Sequence, residues 1–342
     1  MTSYILKRLF WIVPTFLGIT LIVFAITRFV PGGPMEQVLM RGALMGAEGG
    51  KGIKMDASNG GAALSSEQLA SLKAYYGFDK PWYQSYVLWL GKVLTLDLGR
   101  STRYNEPVGA LIWSKLPIST YYGILTMLIT YLICIPLGIW KAIRHNSFFD
   151  YLSSILVFIG YSLPAYVVAI ILLVVFASNL EWFPLGGFTS SDFSEYTFFS
   201  KIIDLVEHSV LPLTAYVLGS FAMMTFLMKN TLMENLSADY VRTAIAKGVS
   251  FRKAVFSHAV RNSLIPMATH FGQNISVILT GSFLIEKIFN IDGLGLLGYE
   301  SLVERDYPVV MGTLVVSSLL FLIGNILSDF AVALVDPRIQ FK

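Results

Sequence analysis

Residues 116–140 read LPISTYYGILTMLITYLICIPLGIW and contain no Asp, Glu, Lys or Arg. About 20 apolar residues in an α-helix cross the hydrocarbon core of a bilayer, so this stretch predicts a transmembrane helix. Five more stretches meet the same criterion: residues 9–30, 151–177, 209–228, 267–288 and 309–334. The sequence therefore predicts an all-α membrane protein with six transmembrane helices.

The composition agrees with this fold class. Of the 342 residues, 55% are hydrophobic and 14% are charged, whereas about a quarter are charged in soluble domains. The net charge of +3 is too small to indicate nucleic acid as a partner. The single cysteine, Cys134, excludes an intrachain disulfide and is expected in the core. The first apolar run is longer than the ~7–15 residues of a signal peptide, which predicts a retained helix.

The basic residues of the short loops orient the helices, because cytoplasmic loops are enriched in Lys and Arg. The two short loops on the opposite side carry only Lys201 and Arg305. We therefore expect both termini to be cytoplasmic, in a bacterial cytoplasmic membrane. The basic residues on the predicted cytoplasmic side are Lys7, Arg8, Lys141, Arg144, Lys229, Arg242, Lys247, Arg252, Lys253, Arg261, Arg338 and Lys342.

Residues 1–30 thus form the N-terminus and first helix, 31–115 an extracytoplasmic segment, and 116–342 a five-helix core. Residues 42–63 are rich in Gly and Ala without an apolar period, which predicts a mobile insertion. Short amphipathic helices follow, one starting after Ser65. In the next, Trp82, Tyr86, Trp89 and Val93 recur at helical spacing. This helix either lies on the outer membrane surface or packs against other helices.

Several enzymatic functions lack their motifs. The stretch Gly49-Gly50-Lys51-Gly52 does not complete a phosphate-binding loop, and the four histidines have no metal-ligand spacing. The sequence therefore predicts no catalytic residues, no metal site and no cofactor in this chain. The charged residues within the predicted spans lie near their ends, which argues against an ion-coupled carrier: they are Arg28, Glu286, Lys287 and Asp329.

Uncharged polar residues occur in the fifth predicted span. Gln273, Asn274, Ser276 and Thr280 either form hydrogen bonds between helices, which is the favoured interpretation, or line a transport pathway. Pro136 and Pro164 remove helix hydrogen bonds and are expected to bend the second and third spans.

The cytoplasmic loop 229–266 is too long for a simple connector. Ser237 is predicted to cap a helix in which Val241, Ala244 and Ile245 share an apolar face. Gly248 then ends this helix and allows another backbone to approach closely.

A second helix is predicted to start after Ser250 and to end near Asn262, with Phe251, Val255 and Ala259 on one face. Two short helices of this kind form a docking element for a protein or adsorb to anionic lipid. The small residues of the first helix favour a protein groove.

Here the sequence resembles the EAA loop of ABC importer permeases, more narrowly the first permease subunit of the oligopeptide, dipeptide and nickel family. The loop reads Asp239-Tyr240-Val241-Arg242-Thr243-Ala244-Ile245-Ala246-Lys247-Gly248, followed by His258-Ala259-Val260-Arg261-Asn262 and Ile265-Pro266. Similar motifs along nearly the whole chain include Tyr76-Gly77-Phe78-Asp79-Lys80-Pro81, Asp97-Leu98-Gly99-Arg100-Ser101, Trp182-Phe183-Pro184, Gly293-Leu294-Gly295, Arg305-Asp306-Tyr307-Pro308 and Asp336-Pro337-Arg338.

The resemblance implies a type I ABC importer permease fold and a multisubunit transporter for peptides or peptide-like solutes. Its partners would be a homologous second permease, two ATPase subunits that bind ATP and Mg²⁺, and a periplasmic or lipid-anchored solute-binding protein. The segment implied to couple to an ATPase comprises Asp239, Tyr240, Val241, Arg242, Thr243, Ala244, Ala246, Lys247 and Gly248.

Two departures narrow the resemblance. The general pattern begins Glu-Ala-Ala, where this chain has Arg242-Thr243-Ala244, and it has proline where Arg261 stands. The insertion at 42–63 resembles the Yej-type subclass associated with microcin C and oligopeptide uptake. A same-family importer for nickel or glutathione, an ion-coupled secondary carrier and a membrane-embedded enzyme remain as alternatives.

Overall fold

The computed structural model describes residues 2–29, 79–279 and 281–335, which are mostly helical and contain no β-strand. The predicted insertion at 42–63 and the helix after Ser65 lie outside these residues. The described helices are α1 (Thr2–Phe29), α2 (Trp82–Leu94), α3 (Val108–Ile143), α4 (Phe148–Ser162), α5 (Ala165–Leu172), α6 (Phe198–Ser237), α7 (Asp239–Ala246), α8 (Phe251–Ala254), α9 (Val260–Leu279), α10 (Phe283–Ile288), α11 (Leu294–Val303) and α12 (Tyr307–Val335).

Four helices of the described chain are long and apolar enough to cross a membrane: Phe10–Arg28 within α1, and α3, α6 and α12. A fifth candidate is the pair formed by α4 and α5, with the π-helical turn Leu173–Asn179 that extends α5. The two halves of this pair meet at 94°. The break lies at Pro164, which has no N–H to donate and restricts the residue before it to extended conformations. The bend predicted at Pro164 is confirmed.

The fifth predicted span, 267–288, is wrong as a single helix. The helix in this region, α9, starts earlier and ends at Leu279, and the short helix α10 follows separately. Between them Gly281 has a φ of +75°, a left-handed conformation that cannot continue an α-helix. A hydropathy pattern does not reveal this interruption, because glycine is frequent in membrane helices.

The described residues fall into two compact units. One comprises those within Trp11–Ser114 and Gly298–Val316. In this unit α2 packs on α1: the Tyr86 hydroxyl donates to Leu17 O at 3.1 Å, and the rings of Tyr86 and Trp89 lie 5.6 and 5.7 Å from that of Phe24. The helix-packing alternative for this aromatic face is thus the one observed, although Trp82 at its start is 48% exposed.

The same unit contains a loop held by a buried carboxylate. Asp306 is 1% exposed and accepts a hydrogen bond of 2.5 Å from the Ser101 hydroxyl. It also accepts from the backbone N–H groups of Thr102 and Arg103 at 3.2 Å each. These contacts explain why the Asp97–Ser101 and Arg305–Pro308 motifs occur together: the second supplies the acceptor for the first.

The second unit holds α4 to α10, most of α3 and the C-terminal part of α12. Its helices approach closely at glycines. A Cβ on Gly138 of α3 would lie 2.6 Å from the Cβ of Met228 in α6. A Cβ on Gly272 of α9 would lie 2.7 Å from the Cβ of Ser328 in α12. Such close approach of small residues is typical of membrane helix packing.

Candidate functional site

The first loop helix, α7, forms where the sequence predicts it but begins differently. Ser237 is not its cap; it is the last residue of α6, and its hydroxyl donates to Glu234 O at 2.8 Å. A hydroxyl that bonds to a preceding helix carbonyl belongs to the helix already formed. Ala238 takes the N-cap position, without a side-chain hydrogen bond to the helix, and Asp239 lies in the first turn.

The predicted apolar face of α7 is divided between the core and the surface. Val241 is 1% exposed and belongs to a cluster that includes Met228 and Leu232 of α6. Ala244 is half-buried, and Ile245 is 40% exposed. Val241 is thus the one buried residue of α7, and most of the helix stays accessible. The exposed residues of the predicted coupling segment are Asp239, Tyr240, Arg242, Thr243, Ala246, Lys247 and Gly248.

Gly248 ends α7 as predicted. Its φ is +89°, and its N–H donates to Ile245 O at 2.9 Å. Val249 N then donates to Ala244 O at 3.1 Å, which satisfies another carbonyl of the last turn. A Cβ on Gly248 would meet no described atom of this chain within 4 Å. The glycine is thus required by the backbone conformation, and the space beside it is open.

The second loop helix starts after Ser250, but it does not end near Asn262. The π-helical turn Val255–Ala259 joins α8 directly to α9, so helical structure continues to Leu279. The predicted common face is also divided, because Phe251 is 53% exposed whereas Val255 and Ala259 are fully buried. Short apolar segments are ambiguous in this way because amphipathic spacing does not show where a helix stops.

Among the predicted pathway residues, Asn274 can be placed. Its Nδ2 donates to the Tyr131 hydroxyl of α3 at 3.4 Å, and that hydroxyl donates to Met267 O of α9 at 3.0 Å. This arrangement is the hydrogen bonding between helices that the sequence favoured. Thr280 lies outside the described residues, as do the side chains of Gln273 and Ser276.

Sequence reasoning missed a group of buried charges. Lys141 of α3, Asp150 of α4 and Lys229 of α6 are 0%, 3% and 8% exposed. The Lys229 ammonium donates to both Asp150 oxygens at 2.7 and 2.8 Å, and the Lys141 ammonium lies 3.1 Å from Oδ1. The sequence pattern predicts that both lysines are loop residues that orient the helices. Ser147, which caps α4 by accepting from Asp150 N, was the available signal that a folded turn follows α3.

A second buried charge lies beyond α9. Glu286 of α10 is 2% exposed and accepts hydrogen bonds from Leu296 N at 2.6 Å and the Tyr216 hydroxyl at 3.4 Å. A Cβ on Gly293 would lie 2.7 Å from its carboxyl carbon, and one on Gly281 would overlap its Oε1. Burial raises the pKa of Glu286 to about 7, against the hydrogen bond from Leu296 N–H, which lowers it. The sequence had placed this residue at the end of a span.

No group of three or more His, Cys, Asp or Glu side chains among the described residues is arranged to hold a metal ion. What the described residues do present is an exposed pair of loop helices anchored on α6.

Comparison with known proteins identifies the class to which this arrangement belongs. The profile of the family described as "Binding-protein-dependent transport system inner membrane component" matches residues 134–341. The chain belongs to this family. It is a permease subunit of an ABC importer, located in a membrane, and it is not an enzyme.

The chain is also similar over its full length to individual permeases. It is 41% identical to the peptidoglycan transport system permease protein YejB of Agrobacterium fabrum, with 100% of this chain and 99% of the relative covered. It is 41% identical to the inner membrane ABC transporter permease protein YejB of Escherichia coli O157:H7, with 100% of both covered. It is 33% identical to the oligopeptide transport system permease protein AppB of Bacillus subtilis, again with 100% of both covered. The resemblance inferred from the motifs, including that to the Yej-type subclass, is confirmed.

Proposed function

We propose that this chain pairs with a homologous second permease to carry peptides or peptide-like solutes into the cell. Two ATPase subunits would drive the pair, and a solute-binding protein would deliver the solute from outside. The full-length similarity to permeases named for oligopeptide and peptidoglycan transport carries the assignment of the solute class. Competition for uptake tests it. Excess unlabelled oligopeptide should inhibit import of a labelled peptide, whereas inhibition by nickel or glutathione alone would contradict the peptide assignment.

The proposed arrangement in the membrane has six spans. They are Phe10–Arg28 of α1, the α4–α5 pair, and α3, α6, α9 and α12. The fifth, α9, has 20 residues, about 30 Å, which matches the hydrocarbon core. Its Arg261 and Asn274 lower its apolar character, and protein neighbours would have to shield them.

Cysteine labelling tests this topology. Cys134 is fully buried, so the native chain offers a nearly silent background. A membrane-impermeant maleimide should label Ser58→Cys in intact spheroplasts and Ser257→Cys only after the membrane is opened. Labelling of both positions from the same side would contradict the six spans.

The proposed coupling site is the exposed surface of α7 and α8, which would seat in a groove of an ATPase subunit. The observation that supports it is the anchoring of α7 by one buried residue, Val241, while Ile245, Phe251 and the backbone at Gly248 stay exposed. These exposed features favour a protein groove over a lipid surface, because Gly248 offers backbone rather than an apolar side chain.

Substitutions at two positions test this coupling. Ala244→Asp places a charge in the presumed contact, and Gly248→Val opposes the left-handed backbone at a strain of about 1–2 kcal/mol. Both should lose ATPase stimulation by the loaded binding protein in reconstituted vesicles. Gly248→Asn is the matched variant, because Asn tolerates this backbone but adds a side chain. It should fail like Gly248→Val if a partner backbone approaches closely.

The lipid alternative predicts another pattern. There Gly248→Asn would be nearly silent, whereas neutralising Lys247, Arg252 and Lys253 together would release the loop from anionic membranes. Normal stimulation in both Ala244→Asp and Gly248→Val would refute the coupling assignment.

A further inference from the structure

Three charged side chains are buried together where α3, α4 and α6 meet. Lys141 is fully buried, and Asp150 and Lys229 are 3% and 8% exposed. Two ammonium groups share one carboxylate, with the His145 Nδ1 3.3 Å from Asp150 Oδ2. Desolvating three ions is unfavourable, and apolar residues of similar volume stabilise a core as well or better. Stability alone therefore does not explain why this junction is charged.

The two lysines contact different parts of the junction. The Lys141 ammonium donates to Asp150 O at 3.0 Å and to the hydroxyls of Ser153 and Ser154 at 2.7 Å each, all within the α3–α4 hairpin. Its contact with α6 is with the face of the Phe226 ring, 5.7 Å away, which imposes little direction. Lys229 instead reaches from α6 to both oxygens of Asp150. Of the two lysines, only Lys229 therefore makes a directional bond between α6 and the hairpin. Uncharged side chains of α3 also bond to α6, at Ser209 and Phe221 among other positions, but nearer its start. The Lys229–Asp150 pair is the charged contact closest to the α7 end of α6.

The packing beside this bond is apolar. Gly138 of α3 lies against Met228 of α6, the residue next to Lys229. The atoms that face the glycine are the Cβ and Cγ of Met228, so the two helices approach closely here. The ion pair with its two short hydrogen bonds adds an electrostatic resistance to sliding or rotation of α6, because either motion would separate buried charges. The pair thus fixes one register of α6 on the hairpin.

The helix that contains Lys229, α6, leads directly into α7, which is part of the proposed coupling site. Lys229 is eight residues before the end of α6 at Ser237, and α7 follows after one residue. Val241 of α7 packs in the cluster that contains Met228 and Leu232 of α6, and the Tyr240 hydroxyl donates to Asn235 at 2.5 Å. A displacement of α7 therefore acts directly on the end of α6.

We propose that Asp150 and Lys229 are positioning residues that lock α6 to the α3–α4 hairpin, so that a displacement of α7 moves these helices as one body. The inference rests on the proposed coupling function of α7. Without the lock, ATP hydrolysis would move the end of α6 while the hairpin stays behind, and transport would be lost even though the subunits remain assembled.

Two matched substitutions test this role in the complete transporter, reconstituted in vesicles. Lys141→Met and Lys229→Met each remove one buried ammonium from the same carboxylate, but only the second removes the bond to α6. Lys229→Met should reduce the solute imported per ATP hydrolysed about tenfold, whereas Lys141→Met should stay within about twofold of the native ratio. Lys229→Arg, which retains the charge and donors, should restore most of it. The melting temperatures should not follow the order of the import ratios. Lys141→Met should destabilise the chain at least as much as Lys229→Met, because Lys141 is more deeply buried and makes more hydrogen bonds.

Equal losses in the two Met variants, or a native ratio in Lys229→Met, would show that the charges only stabilise the junction. A second measurement does not depend on folding of the variants. Spin labels at Leu152→Cys in α4 and Met223→Cys in α6, which are 45% and 53% exposed, report the distance across the lock. That distance should be the same in nucleotide-free and vanadate-trapped transporters, and a change of several ångströms would overturn the proposal.

The two proposals fail in different ways. If Ala244→Asp and Gly248→Val leave ATPase stimulation intact, the coupling function of α7 is wrong. If those variants abolish stimulation while Lys229→Met preserves the native import ratio, only the lock is wrong.

Discussion

Substitution of Gly272 by alanine should separate α9 from α12. Its Cβ would lie 2.6 Å from the carbonyl carbon of Gly324 and 2.7 Å from the Cβ of Ser328. It would also overlap the carbonyl oxygen of Gly324. Carbon atoms in good contact are about 3.5–4.0 Å apart, so the two helices must move apart locally by more than about 1 Å. The Ser328 hydroxyl, which donates to Ala268 O at 3.0 Å and Thr269 O at 2.6 Å, would be drawn away from both.

The expected loss of stability follows from three contributions. Overpacking a tight contact costs about 1–3 kcal/mol. A weakened hydrogen bond between membrane helices adds about 0.6 kcal/mol. Replacing a helical glycine by alanine returns about 1 kcal/mol through helix propensity. We expect a net loss of about 1–2 kcal/mol, which is a factor of roughly 5–30 in the unfolding equilibrium.

The assay is unfolding of the purified chain in mixed micelles with increasing SDS. Gly91→Ala is the matched control, because a Cβ at Gly91 in α2 would meet nothing within 4 Å; it should be neutral or slightly stabilising. Ser328→Ala isolates the hydrogen-bond part and should lose less than Gly272→Ala. If Gly272→Ala unfolds at the same SDS fraction as Gly91→Ala, the close contact between α9 and α12 is not present.

Three other predictions concern separate features. Glu286 has a pKa of about 7 in the folded chain, against an ordinary value of 4.5. Its contribution to stability is therefore full below about pH 4.5 and falls by about 3 kcal/mol as the pH rises to 7. Glu286→Gln should flatten the dependence of the melting temperature on pH in that window, and an unchanged slope would contradict the raised pKa. Asp306→Ala removes the carboxylate that accepts from the Ser101 hydroxyl and from the N–H groups of Thr102 and Arg103. The substitution should cost about 2 kcal/mol in the same SDS assay, whereas a native midpoint would mean that the loop is held by other contacts. Deletion of residues 43–62 should preserve copurification with the ATPase subunits, since changing a loop's length has a small entropic effect, and loss of the complex would reveal a structural insertion.

The helices that the sequence predicted well are those whose signals are local. Hydropathy identified the helices around 9–30, 116–140 and 309–334. The left-handed backbone at Gly248 was predictable because a glycine directly after a short amphipathic helix commonly ends it in this conformation. Hydropathy failed at Gly281, because the eight residues that follow the break include Phe283, Leu284 and Ile285 and continue the apolar average. At the break, the buried Glu286 carboxylate leaves no room for a side chain at Gly281. Glu286 is held there by Leu296 and Tyr216, and Tyr216 is too distant in sequence for a hydropathy window to include.

The buried charges were missed for a related reason. The distribution of Lys and Arg predicts the orientation of the helices, but it does not show which of these side chains are buried. Lys141 and Lys229 are 88 positions apart in sequence, and they become a pair only through Asp150 in a third helix. Long-range partners of this kind are visible in three dimensions and have no periodic signature.

The length of α6 has a mechanical consequence. With 40 residues it is about 60 Å long, twice the thickness of a bilayer core. Pro212, 14 residues from the start, leaves a helix carbonyl without its usual N–H partner and is therefore a point at which α6 can bend. The end of the helix lies 25 residues further on, about 38 Å away, so a bend of about 5° at Pro212 would displace it by about 3 Å. A small rotation inside the membrane would thereby become a larger movement at the α7 end.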